Sequence, residues 1–286
     1  MSCPDCFRGA AHDGKPSGVE ETIGGIVTYV ANPTSGATAC LSTIIFITDA
    51  FGFNLANSKL LADEYASRTG CRVLVPDIIP GGGVSVDSLE LMERAAAPVG
   101  ILDIAGQVTR VYNVVRMMSR FVPFAMRTRN VFPSVLAYAR TVKAEMPAGG
   151  KLGAAGFCWG GLQTTKLSAE AAIEGGDEPL LDAHFTAHPA GLKTPDDFVH
   201  SAKKFHVPVS VAVGDNDMIL SIEAVQDLDK SLKAEFDGDP SHFQVTLYPE
   251  CGHGFAVRAD PKKTVENMAA EQAATQAVDW FKRFLF

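Results

Sequence analysis

The chain has 286 residues, 47% of them hydrophobic and 20% charged, with a formal net charge of −8. That is apolar content enough for a large core, and the acidic balance argues against nucleic acid or an anionic membrane as the main partner, since both attract basic surfaces. No run reaches the roughly 18 apolar residues of a spanning helix and the first twenty residues lack an apolar signal core, so no membrane association and a cytoplasmic location are the expectations.

Residues 1–23 read as a polar N-terminal tail. Cys3-Pro-Asp-Cys6 has C-x-x-C spacing, but no second pair and no preceding strand accompany it, so a plain tail is favoured over a metal or redox role. The six cysteines, at 3, 6, 40, 71, 158 and 251, read as free thiols in a reducing compartment rather than as a disulfide framework. Strand candidates then alternate with helical patterns. The strands are Ile26–Ala31, Ile44–Thr48, Val73–Pro76, Lys151–Phe157, Ala183–Ala187, Val209–Val213 and Phe243–Leu247. The helices are Ser58–Arg68, Gly160–Ile173, Ile222–Phe236 and Val265–Phe284. Such alternation predicts an α/β fold with a mostly parallel sheet flanked by helices. Residues 82–145 are too long for a plain crossover. Their Val, Met, Arg and Phe at helical spacing predict a helical insertion of two or three helices, read as core packing with a solvated face, or else as a pocket lid or subunit contact. With no internal linker, the whole of 1–286 reads as one domain.

The chemistry-bearing stretch is Gly156-Phe157-Cys158-Trp159-Gly160, the G-x-S-x-G nucleophile elbow with sulfur for oxygen, set between a strand and a helix. Glycines there spare the collisions of a strand folding back over a helix start. The helix N-terminus favours a thiolate and offers N–H groups to an oxyanion. The alternative is a buried cysteine in a glycine-rich turn. A nucleophile of this kind is followed in chain order by an acid and a histidine. Asp215 or Asp217 in "GDNDMI" and His253 in "CGHGF" each lie just past a late strand, and of the seven histidines only His253 stands between two glycines.

"GFCWGG", "GDNDMI", "GHGF" and "TDAFGFN" together resemble the dienelactone hydrolase family, in particular its fungal members, from about Gly24 to the C-terminus. The resemblance implies an α/β-hydrolase fold and a Cys-Asp-His triad that opens a lactone or ester through a thioacyl enzyme. Cys158 matches the nucleophile, His253 the general base and Asp217 the orienting acid, with Asp215 as fallback. Where the family has a glutamate that contacts the resting thiol, this chain has the shorter Asp49. The backbone N–H groups of Ala50 and Trp159 would form the oxyanion hole. Family members acting on dienelactone hold its carboxylate with arginines; Arg258 lies one residue beyond the matching place, and Arg94 reads better as a surface residue. Phe51 and Trp159 would contribute an apolar wall, as would Phe53, Met218 and Phe255, and His188 would line the pocket mouth.

His184 and His188 lie four apart on a strand and its exit, about 13 Å from each other and too far to share an ion, and no phosphate-binding glycine loop follows a strand. No metal and no cofactor are therefore expected, and the partner is a small-molecule lactone or ester; a homodimer is compatible with the insertion. Two further readings stay open: acyl transfer or thioester cleavage by the same triad, and a non-catalytic binding module.

Overall fold

The computed structural model describes residues 14–33, 40–96, 99–100, 102–260 and 262–286. Its centre is an eight-stranded sheet in the order β1-β2-β4-β3-β5-β6-β7-β8. These strands are Val19–Ile23, Ile26–Ala31, Thr43–Ile47, Arg72–Pro76, Leu152–Phe157, Ala183–Ala187, Val209–Asn216 and Phe243–Gly252 for β1 to β8. The first two pairings, β1 with β2 and β2 with β4, are antiparallel; all others are parallel. The central strands β3, β5 and β6 are buried along their whole length, as unbroken apolar runs covered on both faces should be.

Nine helices are described: α1 (Ala56–Thr69), α2 (Ser88–Ala96), α3 (Ile104–Thr128), α4 (Phe132–Ala144), α5 (Trp159–Leu167), α6 (Asp196–Phe205), α7 (Ile222–Glu235), α8 (Phe255–Arg258) and α9 (Thr264–Leu285). Two glycines of β5 show how tightly they cover the sheet. A Cβ on Gly153 would stand 2.9 Å from the Phe281 ring of α9, and one on Gly156 would stand 2.2 Å from Thr164 Oγ1 of α5. Positions three apart on a strand point to opposite faces, so α9 and α5 cover the two sides of the same strand.

The α/β-hydrolase fold class holds, with several differences in detail. The expected N-terminal tail holds a strand, since Val19–Ile23 pairs with β2 ahead of Ile26. α6 lies where no helix is expected, although Asp196 and Asp197 in the first turn and Lys203 and Lys204 in the last match the helix dipole. α5, expected to reach Ile173, ends at Leu167, and Ala171 bridges to Pro179. The long segment before β5 holds α2, α3 and α4.

The expectation of free thiols is corrected at one pair, because Cys40 and Cys71 form a disulfide with Cα atoms 4.9 Å apart. Cys40 precedes β3 and Cys71 precedes β4, and these neighbouring parallel strands start in register at Thr43 and Arg72. Sheet order thus joins two cysteines 31 residues apart in sequence. Cys158 and Cys251 are free; Cys3 and Cys6 lie outside the described residues. Among those residues no helix is long and apolar enough to cross a membrane.

Candidate active site

The parallel strands β3, β5, β7 and β8 each end in a loop that carries part of one constellation, at the carboxyl edge where ligands bind in open α/β sheets. Cys158 follows β5 and adopts φ 51°, ψ −115°, a left-handed φ that non-glycine residues adopt only when the surroundings enforce it. Its N–H donates to Ala187 O and its carbonyl accepts from Gly161 and Ala190. A Cβ on Gly160 would stand 2.2 Å from Ile47 O, and one on Gly161 would stand 2.5 Å from Thr186 Oγ1. The elbow is therefore wedged between β3 and β6 with no room for larger residues.

Asp217 and His253 are both buried. His253 Nδ1–H donates to Asp217 Oδ2 at 2.9 Å and Oδ1 at 3.1 Å, and Oδ1 also accepts from the Ile219 and Leu220 N–H groups. That network fixes the carboxylate before it meets the ring. Asp215, the alternative acid, is half-buried and accepts from the side-chain amide of Asn216. Burial opposes the charged form of His253, but the neighbouring Cys158, the hydrogen bond to Asp217 and the Asp217 charge outweigh it and push the imidazole up to about 10; Nε2 makes no hydrogen bond of its own among the described residues.

Asp49 and Arg258 meet each other. Arg258 Nη1 donates to Asp49 Oδ2 in a fully buried ion pair, and Asp49 Oδ1 accepts from the Phe51 N–H at 3.0 Å. Both oxygens of the carboxylate expected beside the thiol are thus taken by other partners, and the guanidinium expected to hold a substrate carboxylate already holds Asp49. The guanidinium carbon also lies 4.9 Å over the Phe51 ring. Its course explains Gly254, at φ 95°, where a Cβ would fall 2.0 Å from Arg258 Nη2.

A cavity of about 350 Å³ opens above these groups, and Cys158, His253, Arg258, Ala50, Phe51 and Trp159 all line it. The rest of its wall is apolar. Met92 of α2 and Phe121, Phe124 and Ala125 of α3 contribute, together with Leu162, Met218 and Ile219. Phe124 meets Trp159 edge-on with ring centroids 5.9 Å apart, and Phe121 meets Phe51 likewise at 6.3 Å. The part of the insertion read as core packing or lid thus walls the cavity; Phe121 and Phe124 were missed because their helical spacing is that of any core face. Ala50, whose carbonyl accepts from Val84 N–H, and Trp159, whose N–H starts a helix and has no carbonyl in it, line the same cavity as the thiol.

His188 does not line the cavity and is corrected to a buried neighbour. Its ring is fully enclosed, 5.0 Å from that of His253 and about 6 Å from Phe157 and Phe255, and burial holds it neutral, well below the usual histidine range. His184 bonds Thr164 Oγ1 at 2.9 Å. Arg94 is an exposed residue paired with Glu90. Phe53 and Phe255 are buried core residues.

The sequence profile of the dienelactone hydrolase family matches residues 26–285. Among individual relatives, the hydrolase pyvD of Aspergillus violaceofuscus is 28% identical over 283 residues, covering 98% of this chain and 96% of the relative. Dienlactone hydrolase 1 of Gibberella moniliformis is 27% identical, covering 98% and 93%. Among solved structures, a Klebsiella pneumoniae protein assigned to the dienelactone hydrolases superposes with a TM-score of 0.64 at 19% identity, over 94% of this chain and 99% of that one. Esterase 2 of Thermogutta terrifontis, phosphorylated by paraoxon, superposes with a TM-score of 0.58 at 14% identity over 94% of each chain.

Proposed function

Since this chain is a hydrolase that belongs to the dienelactone hydrolase family, we propose that it opens lactones or cleaves small carboxylic esters through a thioacyl enzyme on Cys158. The observation that carries the reading is the Asp217–His253 pair sharing one apolar cavity with Cys158. His253 draws the proton from the thiol, and a thiolate–imidazolium pair results, which Asp217 orients through Nδ1. The thiolate attacks the carbonyl carbon. The oxygen that gains the electron pair accepts from the Ala50 and Trp159 N–H groups. As the carbon–oxygen bond breaks, His253 gives its proton to the leaving alkoxide, which in a lactone stays tethered to the acyl group. Water then attacks the thioester with His253 as base, and the acid leaves while Cys158 is regenerated.

The walls favour a neutral, preferably aromatic, substrate, because the Arg258 charge is already balanced by Asp49 and the remaining lining is Phe, Trp, Met, Leu, Ile, Ala and Gly. The test is a panel of neutral and acidic lactones and aryl esters, assayed with wild type, Cys158→Ser and Cys158→Ala. Turnover by wild type, weak turnover by the serine variant and none by the alanine variant are expected, with a mass increase equal to the acyl group on Cys158. Loss of activity that tracks Cys251 instead would overturn the assignment, and clear preference for acidic lactones would return Arg258 to the role of carboxylate anchor. Faster release of the acyl group to an added thiol or alcohol than to water would move the reaction to acyl transfer.

A further inference from the structure

Helix α3 is apolar on both sides. Its inward side carries the buried Asn113, Phe124 and Thr128, and Arg120, which donates to Ser88 of α2. Its outward side carries Ile104, Val108, Val111 and Val115, which are 77%, 64%, 62% and 61% exposed, followed by Met118 and Val122. A helix that only covered a core would keep that outward side polar.

The spacing of the outward residues says what kind of surface would cover them. From Ile104 to Val122 the steps are four, three, four, three and four, a heptad stripe along most of a 25-residue helix. A period of 3.5 keeps its seam facing a second helix, whereas a period of 3.6 suits a broad globular face. Residues flanking the seam, Ala105, Gln107, Tyr112, Val114 and Ser119, bear no charge, so identical seams can meet without repulsion. The arginines at 110, 116, 120 and 127 sit away from the stripe's edges, unlike the flanking cations of a helix lying on an anionic bilayer, and the chain's charge of −8 disfavours that surface further.

Area agrees. Ten apolar residues between Leu102 and Met126 stand more than a third exposed; together they present on the order of 1,000 Å², above the roughly 800 Å² that each partner contributes to a standard stable interface. We propose that two copies of this chain pair through the outer face of α3, seam against seam, about a two-fold axis. The helix so covered is the one whose other side supplies Phe121, Phe124 and Ala125 to the cavity, so the pairing braces the wall of the site.

Sedimentation velocity over the micromolar range tests it. Wild type should run at twice the 30.4 kDa of the chain, and Val111→Glu/Val115→Glu should run as a folded monomer with at least a tenfold weaker association. Val27→Glu, an exposed residue of β2, should leave the dimer intact. Should the double variant fail to fold, a nitroxide on Ser119→Cys reads the seam directly: an inter-copy distance below about 25 Å is expected, from an interaxial distance of 8–10 Å and a 1.5 Å rise per residue. A wild type that stays monomeric throughout, or a folded double variant that stays dimeric, overturns the proposal. A monomer that floats with phosphatidylserine vesicles overturns it as well and assigns the face to a bilayer.

Discussion

Asp217 and Asp215 are two residues apart in one loop, yet their surroundings separate them: one is buried against His253 and held by two N–H groups, the other is half-buried beside Asn216. Asp217→Asn should therefore lower kcat by about 10⁴ through the wrong imidazole tautomer, while Asp215→Asn should change it less than a few fold; steady-state assays of the two variants decide. His253 makes a second prediction. Its folded-state pKa, about 10, lies above the ordinary histidine value of 6.5, so its contribution to stability is fully present below about 6.5, declines as pH rises, and is lost above about 10. Urea denaturation across that window should show wild type losing stability with pH. Cys158→Ala, without the thiolate that raises the imidazole, should show a flatter profile, and an equal slope in both would remove Cys158 as the cause. Arg258→Met strands Asp49 in a buried site and should cost about 3–5 kcal/mol, read as a fall in the urea midpoint; adding Asp49→Leu should recover most of that.

Among the elements, the elbow is the least forgiving. Gly160→Ala places a methyl within 2.2 Å of Ile47 O and 2.6 Å of Thr48 O, both on backbone that cannot yield without moving β3. The variant should lose activity entirely and at least about 2 kcal/mol of stability, whereas Gly149→Ala, in open space though at φ 82°, should keep full turnover; equal turnover in both would refute the steric reading. The elements that were legible in the sequence are those with a strong local signature. Ile44 to Ile47 and Ala154 to Phe157 are continuous apolar runs, and the glycines around Cys158 and His253 announce turns. β1 was not legible because Val19-Glu-Glu-Thr-Ile is mostly exposed and reads as tail; only its ladder with β2 makes it a strand. α6 was missed although its charges mark both ends. At the site, the chain order of thiol, acid and imidazole was readable from strand-end loops. The pairing of Asp49 with Arg258 was not, since nothing local relates residues 209 positions apart.

At the scale of the whole molecule, the disulfide between Cys40 and Cys71 ties two neighbouring strand starts across a separation of 31 residues. A closed loop of that length is worth about 3–4 kcal/mol in the chain-entropy account. Denaturation with and without dithiothreitol should differ by about that much in wild type and not at all in Cys40→Ser/Cys71→Ser. Activity should be nearly unchanged, because the bond lies at the amino ends of β3 and β4 while the cavity lies at the carboxyl edge.

The ion pair between Asp49 and Arg258 also bears on how the protein is made. During synthesis the loop after β3 leaves the ribosome early, but its guanidinium partner arrives only with the last tenth of the chain. Until then Asp49 cannot enter a dry site without a counter-charge, so water must stay in the unfinished cavity. His253 comes equally late, and a chain stopped before it has a thiol but no base beside it. On the proposed triad, nascent and truncated copies would lack turnover, which would begin only when β8, α8 and α9 dock.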